Sequence, residues 1–324
     1  MKAKFLMLCM FVAAMAIGPA RPACGAPTPG DDQGADAARA RLEHGRMLQA
    51  EGDVEGAIQD YRHVERLQPE LFEPHFYLGA VLEMTGDVDE AIAEDRDALR
   101  LKPDFTEAHM NLGSALREKG DLAGAVSEFG TVVHLEPDNG DAHLKLGFAL
   151  RAQGEIEKAI AEYRIAVRLE PHFAQAHNNL ALALKAEGDL RGAITEYREA
   201  ESLQPGAASI HYNLAVALKA NGDLDGAIAE YRGAIRLQPD LAPAHNNLGT
   251  ALREKGSLGE AIVEYREAVR LKPENALGHY NLGIALEKRG DVHGALDQYR
   301  QASQLDPKDP DFRANADRLF WKLN

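Results

Sequence analysis

Eight prolines recur along the chain at a constant spacing of 34 residues, without an insertion or deletion between any two of them. The series is Pro69, Pro103, Pro137, Pro171, Pro205, Pro239, Pro273 and Pro307. A fixed period of this length indicates a structural unit that is repeated and stacked, because one such unit cannot bury its own apolar residues. When the proline is counted as place 32, the first repeat begins at Ala38 and the eighth ends at Asp309.

Other places of the repeat are also nearly constant. Place 15 is always Gly, place 20 Ala and place 30 Leu, and place 8 is Gly or Ala. Place 24 is aromatic in seven repeats and is Asp95 in the remaining one. Gly supplies the left-handed backbone that ends a first helix, an acid at place 16 can cap a second helix, and Pro ends that helix. Each repeat is therefore predicted to be a helical hairpin, which makes the fold class all-α.

These columns resemble the tetratricopeptide repeat family over residues 38–309. The resemblance implies a right-handed superhelical solenoid of eight helical hairpins, whose first helices line a concave groove. The repeats are most similar to the superhelical repeats of the O-linked N-acetylglucosamine transferases, as in residues 177–200. Residues 310–324 follow the last repeat and are predicted to form a capping helix in place of a catalytic region, so transferase activity is not expected.

The first 25 residues have the pattern of a secretory signal peptide. Lys2 and Lys4 precede an apolar run at residues 5–17, which is too short to span a bilayer, and small residues follow. We expect residues 26–37 to be a flexible linker and the protein to be exported, periplasmic or secreted. The alternative is lipidation at Cys24, although Arg21 stands where a lipobox has an aliphatic residue; only then would a membrane be a partner.

The charge balance and the motifs exclude several classes of function. The chain has 36 Lys and Arg against 51 Asp and Glu, a net charge of −15, which disfavours a nucleic-acid partner. We find no Gly-rich phosphate loop, no nucleophile elbow and no acid pair outside the repeating columns. The sequence therefore predicts a protein that is not an enzyme and that needs no small-molecule cofactor.

Place 4 is His in seven repeats, and a metal site has to be weighed there. The set is His75, His109, His143, His177, His211, His245 and His279. One histidine on each hairpin lies too far from the next for two of them to bind one ion, so packing is favoured and no metal site is predicted. Acids at place 23 of the second helix are interpreted as a solvated outer face.

Asparagine recurs at place 6 of the first helix, on the face that points away from the second helix. The five residues are Asn111, Asn179, Asn213, Asn247 and Asn281. A carboxamide has both donors and an acceptor and can therefore bind a peptide main chain. In the transferase-like repeats a ladder of this kind holds an extended peptide, and the resemblance implies the same role here. The alternative is that each Asn bonds the neighbouring helix and stiffens the stack.

Place 12 is basic in five consecutive repeats. The row consists of Arg117, Arg151, Lys185, Lys219 and Arg253. Such a row in an acidic protein would favour an acidic partner segment. Glu118, Glu187 and Glu254 lie beside it and partly neutralise it, and cations at the end of a helix also complement the helix dipole, which is the alternative explanation.

The sequence thus predicts a protein–protein interaction scaffold that binds an extended, possibly acidic, peptide segment in its concave groove. The alternative function is a structural assembly component of a bacterial envelope machine, such as polysaccharide export or pilus assembly. In that case the convex face or the ends of the stack would make the contacts.

Overall fold

The computed structural model describes residues 31–323, with side chains from residue 34 onward. This part of the chain contains seventeen α-helices and no strand, which confirms the predicted all-α fold of repeated hairpins. It divides between Gln153 and Gly154 into two compact units, which we call the first and the second block. We call the two helices of each repeat A and B.

The first block contains three hairpins and one further A helix. Its helices are α1 Asp31–Glu51, α2 Val54–Leu67, α3 Glu73–Thr85, α4 Val88–Leu101, α5 Thr106–Glu118, α6 Leu122–Leu135 and α7 Gly140–Ala152. Each of the three hairpins packs its A helix against its own B helix, and α3, α5 and α7 also pack against the B helix before them.

The second block begins with the B helix of the fourth repeat, continues with four hairpins and ends with one more helix. Its helices are α8 Ile156–Leu169, α9 Ala174–Glu187, α10 Leu190–Leu203, α11 Ala208–Ala220, α12 Leu224–Leu237, α13 Ala242–Glu254, α14 Leu258–Leu271, α15 Ala276–Arg289, α16 Val292–Leu305 and α17 Pro310–Leu323. The packing between successive helices follows the same scheme as in the first block.

The turn inside each hairpin has the predicted chemistry. All eight glycines at place 15 have φ between 83° and 98°, the left-handed region that side chains disfavour. Asp at place 16 caps helix B by accepting the backbone N–H of place 19 in five repeats. In those five repeats place 19 is Gly, and in the three that lack the cap bond it is Glu or Lys. A Cβ on Gly56 would lie 2.6 Å from Asp53 Oδ2, so a side chain there would displace the cap.

The core of each hairpin is an aromatic ring of helix B against a small residue of helix A. A Cβ on Gly283 would lie 2.7 Å from Tyr299 Cδ1, and one on Gly113 would lie 2.7 Å from Phe129 Cε1. The close approach of the two helices therefore depends on the small residue at place 8. The tyrosines of place 24 are at most 1% exposed, and burying one aromatic side chain contributes about 1.5–3 kcal/mol.

Asp95 occupies this aromatic place in the second repeat and is the weakest point of the core. Its side chain is 1% exposed, and its Oδ1 has no hydrogen-bonding partner. Burial, reinforced by the negative charges of Glu83 and Glu94, raises the pKa of Asp95 to about 8. The carboxyl is thus kept protonated near neutral pH at the place where other repeats bury a ring.

The N-terminal prediction needs a correction. Helix α1 begins at Asp31, so residues 31–37 are helical and do not belong to a linker. The segment from residue 35 onward is rich in Ala, which has the highest helix propensity. The predicted signal peptide and residues 26–30 lie outside the described residues.

Helix α17 follows the last hairpin as predicted. It begins at Pro310, and Asp309 accepts the backbone N–H of Asp311 at 2.9 Å. Phe312, Ala316 and Leu319 are buried, and the helix packs against α16. Phe320 is 38% exposed, because it lies one residue beyond Leu319 around the helix. Within residues 31–323 no helix has the length and apolar character needed to span a bilayer.

Candidate peptide-binding surface

The A helices of consecutive repeats touch one another inside each block. Their places 5, 6, 9 and 12 therefore form one surface per block, which we call the A-helix surface. All ten predicted binding residues lie on A helices. Asn111, Arg117 and Arg151 belong to the first block, and the other seven belong to the second.

Three of the five predicted asparagines bond the preceding repeat in the second block. Each donates from Nδ2 to the place 5 side chain 35 residues earlier. The pairs are Asn213 to Asn178 Oδ1 at 3.3 Å, Asn247 to the Tyr212 hydroxyl at 3.0 Å and Asn281 to Asn246 Oδ1 at 3.1 Å. The amides are therefore held in a fixed orientation by the neighbouring helix, as the stacking interpretation requires.

A fourth bond of the same kind was not predicted. Asn315 in α17 donates to the Tyr280 hydroxyl at 3.2 Å, so α17 continues the ladder beyond the last repeat. The signal was present in the sequence, because Asn315 lies 34 residues after Asn281. Asn111 and Asn179 make no side-chain hydrogen bond within the described residues, and the residues 35 positions before them, Phe76 and Leu144, are apolar.

The first block has aromatic residues where the second has amides. Phe76 lies at place 5 and packs edge-on against Phe105 with ring centroids 4.8 Å apart. Phe105 in turn contacts Phe72, and the Lys102 ammonium lies 4.5 Å and 4.6 Å from the centroids of these two rings. Tyr77 takes place 6 and stacks on Tyr61 at 5.6 Å.

In the first block, the two members of the basic row contact the ring of Phe148. The guanidinium carbons of Arg117 and Arg151 lie 4.9 Å and 5.3 Å from the centroid of Phe148. Each such contact is worth about 0.5–1 kcal/mol when exposed. Arg151 Nε is buried without a hydrogen-bonding partner. These two cations are thus ordered by Phe148, a residue that sequence reasoning did not assign to the site.

The basic row of the second block is partly neutralised. Lys219 Nζ lies 3.0 Å from Glu254 Oε1 of the next repeat. Lys185 is half-buried and has no ion pair within the described residues, and its burial lowers the pKa of the ammonium. Arg253 Nε is buried without a hydrogen-bonding partner. One of the three cations is therefore offset by a neighbouring acid, as the sequence suggested.

The place 4 histidines pack between repeats, as predicted. Nδ1 bonds the side chain at place 23 of the same repeat at 2.6–2.7 Å in His75, His109, His177, His211, His245 and His279. In six of the seven, Nε2 bonds the carbonyl of the proline that ends the previous repeat at 3.0–3.1 Å. The interpretation of the place 23 acids as a solvated face was wrong, because they are half-buried partners of these histidines.

His245 shows the electrostatic consequence. Burial alone would lower the pKa of His245, but its hydrogen bonds to Glu264 and to the Pro239 carbonyl outweigh burial and raise it. Both ring nitrogens face acceptors, and only the imidazolium can donate from both of them.

Family models of the tetratricopeptide repeat match residues 36–104, 85–139, 178–242 and 276–309, and a TPR repeat model matches residues 149–188 and 249–290. The chain belongs to the tetratricopeptide repeat (TPR) family. TPR repeats generally form non-catalytic scaffolds for protein–protein interaction. No curated protein matches the chain closely enough to count as a relative.

Solved TPR structures share the fold at low sequence identity. PilF of Pseudomonas aeruginosa is 19% identical over 64% of this chain and 95% of its own, with a TM-score of 0.57. YrrB, described as a TPR protein with an unusual peptide-binding site, is 23% identical over 57% of this chain and 95% of its own, with a TM-score of 0.50. The Cut9–Hcn1 hetero-tetramer of the APC/C is 17% identical over 82% of this chain and 52% of its own, with a TM-score of 0.57.

Two acid pairs break the TPR repeat pattern, so the prediction that none exists outside the columns was wrong. Place 28 is Glu65 in the first repeat and Glu201 in the fifth. Both side chains reach the histidine of the next repeat and face the acid already bonded to that histidine. Within the described residues, these two clusters are the sites at which three side chains could bind one metal ion.

Proposed function

We propose that this TPR protein is an adaptor that binds an extended segment of a partner protein along its A-helix surface. The observation that supports this most is the row of oriented, half-buried amides at place 6 in the second block. Stacking uses only part of the hydrogen-bonding capacity of these amides, and the rest is available to a partner.

The bonds to place 5 leave binding capacity on each amide. An Asn side chain has two N–H donors and an acceptor oxygen, and one N–H of Asn213, Asn247 and Asn281 is used between repeats. The remaining N–H and the oxygen can pair with the C=O and N–H of a peptide backbone, although in Asn247 one lone pair of the oxygen already accepts Asn246 Nδ2–H at 3.4 Å. Because the neighbouring residue fixes the amide, less conformational entropy is lost on binding.

The basic row supports a preference for acidic segments. Lys185 has no ion pair among the described residues, and Arg117 and Arg151 present guanidinium groups held by Phe148. An acidic segment would compensate these charges, and its binding would weaken as salt is added. Lys219 contributes less because Glu254 already neutralises it.

Selection of peptides from a displayed random library tests the proposal on the full mature chain. Peptides that bind should lose about tenfold or more in affinity when Asn213, Asn247 and Asn281 are all changed to Ala. The matched control changes Arg198 and Arg266, which are exposed on B helices, to Ala and should leave the Kd unchanged. Peptides whose affinity falls only with the B-helix variant would contradict the proposal.

A second candidate function is the structural assembly component, and the C-terminal end of the described chain favours it. Trp321 is 76% exposed and packs edge-on against Phe320 at 5.5 Å. A cavity of about 450 Å³ lies beside this pair and is lined by Arg300, Gln304 and Arg313, among others. Exposed aromatic residues next to a cavity are typical of contact sites between proteins.

Photo-crosslinking in the producing cells distinguishes the two functions. A photoreactive residue is placed at Val216 on the A-helix surface or at Trp321 on α17. The adaptor function predicts crosslinks from Val216 that an excess of selected peptide abolishes. The assembly function predicts crosslinks from Trp321 that the peptide does not affect.

Export remains part of the proposal, with residues 1–25 as its signal peptide. N-terminal sequencing of the protein from the envelope fraction should find a start after residue 25 or close to it. If Cys24 carries a lipid, the exported protein would instead be anchored to a membrane. A protein that retains Met1 in the soluble cell fraction would contradict both.

A further inference from the structure

Three potential ligand atoms converge in the second block at the junction of the fifth and sixth repeats. His211 Nδ1 lies 2.7 Å from Glu230 Oε2 and 3.1 Å from Glu201 Oε1. The three ligand atoms all lie within 4.8 Å of one another. Glu201 comes from α10, His211 from α11 and Glu230 from α12, so the cluster joins two consecutive hairpins.

The first block contains a second cluster of the same composition. His75 Nδ1 lies 2.7 Å from Glu94 Oε2 and 3.3 Å from Glu65 Oε1, and these ligand atoms also lie within 4.8 Å of one another. The remaining repeats lack the second acid. Their place 28 residues are Leu99, Val133, Val167, Ile235, Val269 and Ser303. The acid at place 28 is thus a departure from an apolar column, and it occurs twice with the same geometry.

Each cluster places two carboxyl groups beside one imidazole in a half-buried site. Burial and the facing Glu94 raise the pKa of Glu65 to about 7, and burial and the facing Glu230 raise the pKa of Glu201. The Oε1 atom of Glu65 is buried and has no hydrogen-bonding partner beyond its long contact with His75. These shifts favour a proton on one carboxyl group of each pair, and a divalent cation bound between the two carboxylates would replace that proton.

The tautomer of His211 is also set for a metal. Its Nε2–H donates to the Pro205 carbonyl at 3.0 Å, so in the neutral ring the lone pair of Nδ1 points at the two carboxylates. Metal-binding histidines commonly donate their second N–H to a backbone carbonyl, which fixes the ring. Burial alone would lower the pKa of His211, but without an ion the hydrogen bonds to Glu230 and to the Pro205 carbonyl outweigh burial and raise it, so Nδ1 carries a proton that faces the carboxylates. A divalent ion would take the place of that proton.

We propose that Glu201, His211 and Glu230 form a divalent-cation site that joins two repeats, and that Glu65, His75 and Glu94 form a second. One imidazole nitrogen and two carboxylate oxygens suit Zn²⁺, which binds such atoms at about 2.0–2.2 Å with further positions open to water. Ligands around a tetrahedral ion of this size are about 3.4 Å apart, so the observed 2.7–3.3 Å requires only small side-chain shifts. The ion would stabilise the junction between hairpins, because it binds the folded chain.

Zn²⁺ titration of the chelator-treated mature chain tests the proposal. The protein competes with a chromophoric chelator for Zn²⁺ in the presence of excess Mg²⁺. We expect two tight zinc sites per chain. Glu201→Val and Glu65→Leu introduce residues that the chain already has at place 28 of other repeats, so the hairpins are expected to fold. Each variant should reduce the number of tight sites from two to one, and the double variant should reduce it to none.

The sixth and seventh repeats provide a matched control. His245 has the Glu264 partner and the Pro239 carbonyl, but it has Ile235 where a second acid would be. His245→Gln should leave both zinc sites intact, and Ile235→Glu should create a third. Tight binding that is unaffected by Glu201→Val and Glu65→Leu in folded protein would show adventitious surface binding and overturn the proposal, as would no binding.

X-ray absorption of the zinc-loaded wild type covers the case in which the variants do not fold. The proposal predicts one imidazole nitrogen in the ligand shell together with oxygen atoms. A shell of oxygen atoms alone would place the ion elsewhere and overturn the assignment. This outcome is independent of peptide binding, so the two proposals can fail separately.

Discussion

The two blocks have the same hairpin but differ in the chemistry of the A-helix surface. In the second block, places 5 and 6 carry amides and tyrosine hydroxyls that bond across successive repeats. In the first block these places include Phe76 and Tyr77, whose contacts are between rings or between a ring and a cation, and Asn111, which makes no side-chain hydrogen bond within the described residues. The backbone of a repeat thus sets where a side chain is presented and leaves open which interaction it makes.

The cores differ at one place as well. The second block has a tyrosine at place 24 of every repeat, whereas the first has Tyr61, Asp95 and Phe129 in its three hairpins. A solenoid holds its repeats by contacts between neighbours, so a weak core in one hairpin acts mainly on that hairpin and the next. We therefore expect the second repeat to be the least stable hairpin of the first block.

Tyr231→Asp should lower the free energy of unfolding more than the other variants, because it places an aspartate at place 24 in the second block, as Asp95 occupies that place in the second repeat. It removes a buried ring and adds a buried carboxyl, at a cost of about 3–5 kcal/mol. Urea unfolding followed by circular dichroism measures the loss. Tyr231→Phe, which keeps the ring, is the control and should cost much less. A loss for Tyr231→Asp no greater than that of the control would show that the ring does not support the hairpin.

Asp95→Tyr should give a gain of about 1–3 kcal/mol in unfolding free energy. Gly79 faces this place, as Gly283 faces Tyr299, and Glu83 stands where Glu287 accepts the Tyr299 hydroxyl at 3.0 Å. The new side chain would thus find both the space and the acceptor that it has in the eighth repeat. Hydrogen exchange of residues 73–101 measures the gain. We expect the backbone amides to exchange more slowly in the variant. Faster exchange would mean that the helices of the second repeat pack too closely around Asp95 to accommodate a tyrosine ring.

The histidine bridge is common to both blocks, and its stabilisation should depend on pH. Because the folded pKa of His245 is raised, its contribution is fully present below the unfolded pKa of about 6.5 and is lost as pH rises through the folded value. His245→Gln should therefore destabilise the second block by about 1–3 kcal/mol at pH 5.5 and by less at pH 8.5. Urea unfolding at the two pH values measures this, and an equal loss at both would contradict the ionic origin.

The smallest expected effects separate the two A-helix surfaces. Asn247→Ala should cost about 0.5–1.5 kcal/mol because it removes the bond to Tyr212. Asn111→Ala should cost less than about 0.5 kcal/mol, since no bond is lost there. Tyr212→Phe should reproduce most of the Asn247→Ala loss, and a double variant should then add little. Additive losses would show that the two side chains act separately.

The fold could be predicted almost completely from the sequence because the repeat has no insertion. One interpretation of Pro at place 32 and Gly at place 15 applies to all eight copies, and each copy confirms the others. The start of α1 was missed, since Asp31, Asp32 and Gly34 have the composition of a linker and nothing local reports the helix that continues through them.

The candidate surface was predicted less well because its geometry depends on pairs of repeats. Asn213 and Asn178 are unremarkable singly, and their bond is visible only when place 6 of one repeat is compared with place 5 of the preceding one. Glu65 and Glu201 were missed because place 28 is aliphatic in five of the other six repeats, so its two acids do not form a recurring pattern. Phe148 could not be assigned, since a cation beside a ring has no sequence signature.

The 35-residue offset of the amide bonds has a consequence for how such a chain can grow. Repeats six and seven each carry a donor for the repeat before them and an acceptor for the repeat after them. Duplication or deletion of such a repeat as a block of 34 residues leaves every amide with a partner at the new junction. A change in the number of repeats would therefore keep this row of amide bonds, so the length of the array could vary while the chemistry of this surface is kept.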